Sequence, residues 1–242
     1  MVYVFRFVVF VLATFFWALV GCVVSLFDRS GEGAVWAARH RARWLLAVSR
    51  VEVECSGLEE IDFSRPYVLM SNHQSVFDVP ALVSTLPVSF RFVAKRELTW
   101  IPVFGWALVL GQHIIIDRSR RERCVRSLGH AAEQVRCGIN VVIFPEGTRS
   151  ETDSFGAFKS GGFHLAIQAG VPVLPISVSG SRRITPKKSL RIESGRIRVH
   201  YGQPIPTAGL SRDDREALKE KVREVILAGF DPDFPGVSGR AT

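Results

Sequence analysis

The sequence predicts an α/β protein: a mostly parallel or mixed sheet of about seven strands flanked by helices, with an N-terminal membrane-embedded helical element. Three observations lead to this prediction. The chain begins with a long uncharged apolar run, short β-branched or aromatic runs then alternate with helical patterns, and polar loops follow two of these runs. The 242 residues accordingly divide into membrane-anchoring helices (1–50), an α/β domain (51–230) and a loose C-terminal tail (231–242).

The first element is an uncharged run from Phe7 to Phe27, and about 20 apolar residues suffice to cross a bilayer core. A cleaved signal peptide is an alternative, but its apolar region is usually shorter, at about 7 to 15 residues. Leu19 to Cys22 also resembles a lipoprotein signal, yet the apolar run continues beyond Cys22. The run therefore predicts a membrane anchor.

The second element is a basic amphipathic helix that follows a break at residues 28–33. Its apolar residues fall near one helical face: Val35, Ala38, Ala42, Leu45 and Leu46. Trp36 and Trp44 suit the headgroup level of a membrane, and the arginines between them can reach lipid phosphates. The alternative is a helix whose apolar face packs on the folded domain.

The orientation follows from charge. Only Arg6 precedes the apolar run, whereas several arginines follow it: Arg29, Arg39, Arg41 and Arg43. By the positive-inside rule, this excess keeps the α/β domain on the cytoplasmic side. The break at residues 30–33 lets the second helix return along the interface, so we expect both helices to lie in one leaflet.

Seven short apolar runs are the candidate strands of the sheet. They lie at 51–55, 67–70, 90–94, 113–116, 139–144, 173–178 and 197–201. Residues 120–136 predict a helix with one buried face under an Arg-rich one. A second clear helix runs from about Ser211, where Ser211 and Asp214 resemble a capping box, to a stop at Gly229.

Composition narrows the class of function. The net charge of +8 and pI of about 9.8 indicate an anionic partner, which is nucleic acid, an acidic lipid surface or a phosphorylated substrate. The cysteines form no CxxC pair, which argues against a zinc ribbon or a disulfide scaffold. The histidines show no HxxxH or HExxH spacing, so no metal site is expected.

Two polar loops carry the candidate chemistry. Asn72 and His73 follow a predicted strand, and Asp78 falls in the first turn of the next helix. A neutral imidazole can take a proton from an alcohol when a carboxylate holds its other nitrogen, although a capping Asp beside a structural His gives the same pattern. After a later strand, Gly147 allows a tight turn and Arg149 offers a planar donor fork for phosphate. Two strand-end loops in one sheet predict a single site.

Four sequence blocks resemble the signature blocks of the glycerolipid acyltransferases, above all the bacterial 1-acyl-sn-glycerol-3-phosphate acyltransferases. They are NHxxxxD at Asn72 to Asp78, KREL at Lys95 to Leu98 with GQHIIIDR at Gly111 to Arg118, FPEGTRS at Phe144 to Ser150, and VPVLPI at Val171 to Ile176. The blocks occur in the family's order, and the resemblance covers roughly residues 50 to 205. Residues 51–230 are then an acyltransferase domain.

The resemblance implies that His73 is the general base on the acceptor hydroxyl and that Asp78 orients it. Ser75 is not expected to be a nucleophile, because the chain contains no GxSxG elbow. The resemblance also implies a set of substrate-binding residues: Lys95, Arg118, Glu146, Gly147, Thr148, Arg149 and Lys159. The cations would contact phosphate, and Glu146 would bind the acceptor's glycerol or pair with Arg149. Backbone N–H groups near Gly147 are candidates for the oxyanion.

The implied function is transfer of an acyl chain from acyl-acyl carrier protein or acyl-coenzyme A to the sn-2 hydroxyl of lysophosphatidate, giving phosphatidate for phospholipid biosynthesis. Another lysolipid or glycerol 3-phosphate is the alternative acceptor. We expect no cofactor, no metal and no nucleic acid, and a position at the inner (cytoplasmic) membrane with the catalytic domain facing the cytoplasm. The non-enzymatic alternative is a basic, membrane-tethered protein that binds anionic lipid, but a binder needs no base beside a phosphate clamp.

Overall fold

A computed structural model describes residues 2–28, 30–117, 121–152 and 154–237. The helices are α1 (Val2–Phe27), α2 (Glu32–Ser49), α3 (Asp78–Thr85), α4 (Phe104–Leu110), α5 (Arg121–Arg136), α6 (Gly161–Ala169), α7 (Ser181–Ile184) and α8 (Arg215–Gly229), with a 3₁₀ helix at Arg96–Trp100. The strands are β1 (Val51–Ser56), β2 (Val68–Ser71), β3 (Phe90–Lys95), β4 (Ile114–Ile116), β5 (Asn140–Ile143), β6 (Val173–Ser179) and β7 (Gly195–Tyr201).

The seven strands form one mixed sheet in the order β1-β7-β6-β2-β5-β3-β4. Only β6 and β7 pair antiparallel, and every other neighbouring pair is parallel. The predicted α/β class is confirmed, and each candidate run forms a strand. Because β2, β5 and β3 are parallel neighbours, their carboxyl ends lie at the same edge of the sheet, where such folds place their ligands.

Apolar residues fill both faces of the sheet. One core contains residues of α2 and α3, and the other contains residues of α5, α6 and α8. The four residues of β2 and of β5 are all buried, as expected for parallel strands covered on both faces. The strand ends that carry the polar loops are therefore held in a rigid frame.

The apolar face of α2, which was expected to enter the membrane, packs against α1 and α3 instead. Val35, Ala42 and Leu45 are each no more than 2% exposed, and they face α1 and α3. The alternative, a helix packed on the folded domain, is therefore the correct one for this face. Trp36 and Trp44 remain about half exposed, at 48% and 53%.

Two boundaries differ from the sequence prediction. The helix α8 begins at Arg215 because the Asp214 carboxylate accepts hydrogen bonds from the N–H and hydroxyl of Ser211, at 2.7 and 2.8 Å, in a preceding turn. The tail, expected to be loose from residue 231, is packed as far as Val237. Phe234 is 2% exposed beneath the Arg198 guanidinium, and Val237 forms a bridge with Gly195. Residues 238–242 lie outside the described residues.

Candidate active site

The loop after β2 is fixed to the neighbouring strand by a buried amide. Asn72 donates from its side chain to the carbonyl of Val178 at 2.9 Å and accepts from the Val178 N–H at 2.8 Å. Both ends of this side chain are satisfied, as a buried amide requires. Asn72 therefore positions His73, the next residue along the chain.

His73 and Asp78 form a hydrogen-bonded pair. The Asp78 carboxylate is fully buried, and its Oδ2 lies 2.8 Å from His73 Nδ1. The same oxygen accepts the backbone N–H groups of Gln74 at 2.7 Å and Ser75 at 2.8 Å. Asp78 also begins α3, where the helix dipole favours a negative charge. In a neutral imidazole Nδ1 then carries the proton, which leaves the Nε2 lone pair as the base.

The loop after β5 holds His73 from the other side. Phe144 stacks on the imidazole with ring centroids 4.0 Å apart and an interplanar angle of 20°. The backbone N–H of His73 donates to Glu146 Oε1 at 2.8 Å, and the Ser150 N–H donates to the His73 carbonyl at 2.8 Å. The two predicted loops thus form one site, as expected from their place at adjacent strand ends.

Glu146 contacts groups of the two loops rather than Arg149, and its contact with the acceptor's glycerol stays a prediction. Its carboxylate is 3% exposed and accepts from the His73 N–H, the Ser150 hydroxyl at 2.5 Å and the Gly156 N–H at 2.8 Å. These donors occupy both oxygens, so Glu146 joins the two loops and supports His73. The sequence did not reveal this role because Glu146 and His73 are 73 residues apart.

A cavity of about 460 Å³ lies against His73, within the usual range for ligand sites. The predicted residues that line it are His73, Lys95, Gly147, Thr148 and Arg149. Much of the remaining wall is apolar, with Ala18 from α1, Phe92 from β3 and Leu108 from α4. Lys159 is not part of the wall, and its side chain is exposed. Arg118 lies outside the described residues.

Gly147 makes the turn that its sequence context predicted. Its φ of 71° lies in the left-handed region that favours glycine. Its N–H donates to the Phe144 carbonyl at 3.0 Å and is therefore engaged within the turn. The Gly147 N–H is thus no candidate for the oxyanion in this conformation, and a role for other backbone N–H groups near Gly147 stays a prediction.

Ser75 is unsuited to nucleophilic attack. Its side chain is fully buried, and its hydroxyl donates to the Thr185 carbonyl at 2.9 Å. The hydroxyl also accepts the Phe77 N–H at 3.3 Å. Ser75 therefore serves the turn that presents Asp78. This geometry agrees with direct attack by an alcohol that His73 activates.

Sequence reasoning missed two cavity residues that carry ionisable groups, Arg41 and His113. His113 Nδ1 accepts the Phe92 N–H at 3.0 Å. Burial, assisted by the nearby charges of Arg91 and Arg41, lowers the pKa of His113 to about 3, so the ring is neutral. The spacing places Ala34, Ala38 and Arg41 on one helical face, but no signal in the sequence shows that this face meets the cavity.

No group of three or more His, Cys, Asp or Glu side chains among the described residues has the arrangement of a metal site. The site combines a base, two cations and an apolar cavity. Residues 52–179, more than half of the chain, match the family model described as Acyltransferase. The chain belongs to the acyltransferase family.

Individual relatives of this acyltransferase carry more specific names. It is 40% identical over 181 residues to the 1-acyl-sn-glycerol-3-phosphate acyltransferase alpha of Ovis aries, which covers 74% of this chain and 63% of the sheep protein. It is 31% identical over 201 residues to the 1-acyl-sn-glycerol-3-phosphate acyltransferase of Saccharomyces cerevisiae, which covers 78% of this chain and 66% of the yeast protein. The chain thus matches slightly less than two thirds of either relative.

The fold of this acyltransferase has a solved counterpart over almost its whole length. The crystal structure of the 1-acyl-sn-glycerophosphate (LPA) acyltransferase PlsC from Thermotoga maritima superposes with a TM-score of 0.76 and 27% sequence identity. The match covers 93% of this chain and 95% of the bacterial one. The similarity therefore includes much of the N-terminal helical element as well as the sheet.

Proposed function

We propose that this acyltransferase moves an acyl chain from a thioester to the sn-2 hydroxyl of lysophosphatidate and so produces phosphatidate. The observation that carries the proposal is the His73–Asp78 pair on the wall of a cavity that Lys95 and Arg149 also line. A base for the hydroxyl, cations for the phosphate and an apolar space for the chain are what this acceptor requires. The names of the relatives support the same reaction.

His73 and Asp78 fit a direct transfer. Nε2 of His73 takes the proton of the acceptor hydroxyl while the hydroxyl oxygen attacks the thioester carbonyl carbon. The new C–O bond forms, the C–S bond breaks, and the proton passes to the departing thiolate. Asp78 stabilises the imidazolium that exists between these steps.

The acyl donor is a thioester of acyl carrier protein or of coenzyme A. A thioester is already activated, so the reaction needs no resident cofactor or metal. Another lysolipid or glycerol 3-phosphate is the alternative acceptor, since it also presents a hydroxyl near a phosphate.

The decisive experiment is an acceptor panel with the purified protein in detergent. It pairs labelled acyl-acyl carrier protein or acyl-coenzyme A with lysophosphatidate, other lysophospholipids and glycerol 3-phosphate. We expect the fastest transfer to lysophosphatidate, with phosphatidate as product. A higher kcat/KM for another acceptor would make that acceptor the assigned substrate. No transfer to any acceptor would overturn the enzymatic proposal.

The anchor lies in one leaflet rather than across the membrane. The helix at Tyr3–Phe27 is long and apolar enough to span a bilayer, and its composition suggests membrane association. Both of its ends, however, contact the catalytic domain. Near the start, Arg6 donates to the Ile192 carbonyl at 3.1 Å, and near the end the Cys22 thiol lies 3.7 Å from the Val103 carbonyl. A helix bound to the domain at both ends keeps both ends on the domain's side.

Large apolar side chains are exposed on α1, on α4, which packs beside it, and on the 3₁₀ helix that precedes α4. Trp100 is 70% exposed and Trp106 is 57% exposed, while Leu12 and Leu26 of α1 are 63% and 67% exposed. Tryptophan at such positions suits the headgroup level of a bilayer. The exposed apolar side chains of α1, of α4 and of the 3₁₀ helix would lie in the cytoplasmic leaflet of the inner membrane, with the domain facing the cytoplasm.

Topology can be tested by labelling Val4→Cys, near the start of α1, with an impermeant thiol reagent in whole cells whose native cysteines are replaced. Val4 is 65% exposed, so a membrane or solvent environment alone decides its reactivity. We expect no labelling from the periplasm. Leu227→Cys, on the exposed side of α8, serves as the cytoplasmic control in opened cells. Labelling of Val4→Cys from the periplasm would show a spanning helix.

A further inference from the structure

One face of α2 forms part of the cavity wall. Ala34, Ala37, Ala38 and Arg41 all line the cavity, and their spacing places them on one side of the helix. The three alanines leave room beside α2, and Arg41 is the cation on this face. Arg41 precedes residues 52–179, so it lies outside the segment that matches the family model.

The guanidinium of Arg41 has no hydrogen-bond or ion-pair partner among the described residues. Two other arginines in this part of the protein differ from it. Arg39 donates to the carbonyls of Leu86 and Val88 at 3.2 and 2.9 Å. Arg91 donates to the carbonyls of Ser30 and Phe90. Backbone oxygens hold the guanidinium groups of both arginines, although the buried Nε of Arg91 has no partner, so we assign these two arginines a structural role.

A cation in a cavity wall without an acceptor lowers the stability of a fold, since it loses part of its hydration without gaining a counter-charge. Burial alone lowers the pKa of Arg41 to about 10, which still leaves it charged at neutral pH. The neighbouring His113 accepts a backbone N–H and offers Arg41 no anion. The position of Arg41 therefore suits a group that contacts an anionic ligand in the cavity.

We propose that Arg41 is an anion-binding residue of the active site, which pairs with a phosphate group of a bound substrate together with Lys95 and Arg149. The three cations come from α2, from the end of β3 and from the loop after β5, and all line one cavity. The inference rests on the proposed function. It gives the N-terminal helices a part in substrate binding as well as in anchoring.

Phosphate can reach such a site from two sources, which are the lysolipid acceptor and the phosphopantetheine-bearing donor. Steady-state kinetics of Arg41→Met with each substrate varied in turn separate them. We expect KM to rise about tenfold or more for the substrate whose phosphate Arg41 contacts, since charged hydrogen bonds are the strong ones. Arg41→Lys keeps the charge and should recover part of the affinity.

Arg223→Met is the matched control. Arg223 lies on α8, which packs on the opposite face of the sheet, and its side chain is partly exposed like that of Arg41. This variant should keep both KM values. Unchanged KM values in Arg41→Met, or equal changes in both variants, would overturn the proposal.

Thermal unfolding in detergent provides a readout that does not depend on turnover. Because Arg41→Met removes a partly buried cation that has no partner among the described residues, the Tm of the variant should equal or exceed that of the wild type. Glycerol 3-phosphate, used as the probe, should raise the Tm of the wild type more than that of Arg41→Met. A clear fall in Tm with an undiminished probe response would make Arg41 structural. This arm remains informative if no acyl transfer is observed, in which case only the proposed function fails.

Discussion

The two loops beside His73 and the two N-terminal helices are built in contrasting ways. In the loops, the buried Asn72 amide and the buried Glu146 carboxylate are both paired. The N-terminal helices instead carry exposed apolar side chains on their outer surface and the unpaired Arg41 on the cavity wall. Hydrogen-bonded polar groups fix a geometry, whereas exposed apolar side chains and an unpaired cation are free to contact a ligand or a membrane. The loops therefore hold the catalytic geometry, and the helices are suited to receive lipid and substrate.

The largest effect should follow removal of the base. His73→Ala should lower kcat by about 10³-fold or more, since general base catalysis is lost. Asp78→Asn should lower kcat by about 10²-fold or more, because the imidazole loses the acceptor that sets its tautomer. Turnover of the purified variants with lysophosphatidate tests both, and circular dichroism checks that they fold. Near wild-type kcat in His73→Ala would remove the catalytic role from the loops.

Glu146 tests whether the loops act by positioning. Glu146→Gln replaces one of two acceptor oxygens by a donor that faces existing donors, so we expect kcat to fall by roughly 10- to 100-fold and Tm to fall as well. The KM for lysophosphatidate should change little. A selective rise in the KM for lysophosphatidate would instead support a contact between Glu146 and the acceptor's glycerol. Ser150→Ala, which removes one donor to Glu146, should have a milder effect.

Substitution of the two cations that are proposed to bind phosphate should affect KM for the acceptor more than kcat. Arg149→Ala should raise the KM for lysophosphatidate by about tenfold or more and leave the KM for the acyl donor much less affected. Lys95→Ala should act alike but more weakly, because a lysine is a flexible point charge. Kinetics with each substrate varied decide this. Equal changes in both KM values would assign Arg149 a structural role.

The smallest effect is expected at the membrane surface. Trp106→Ser should weaken binding to anionic phospholipid vesicles by about tenfold or less, because one exposed aromatic among many is removed. Leu227→Ser, at an exposed apolar residue of α8, should bind as the wild type does. Vesicle cosedimentation measures both variants. Equal losses would mean that the surface of α1 and α4 is not the membrane-facing one.

The sequence by itself determined the strands, the class of fold and the His73–Asp78 pair. Strand runs follow from local apolar patterns, and His73 and Asp78 are only five residues apart across one turn. Local spacing is enough to place such groups together. The polar loops could also be assigned to one site, because parallel strands present their carboxyl ends at one edge.

Only the tertiary structure shows what Glu146, Arg41 and Phe234 contact. Glu146 meets His73 across 73 residues, and Phe234 is covered by Arg198 from β7. In the sequence, Arg41 is indistinguishable from the other arginines of α2. The structure shows that it lines the cavity. A periodic pattern gives the face of a helix on which a residue lies. What that face meets depends on long-range packing, which no local pattern encodes.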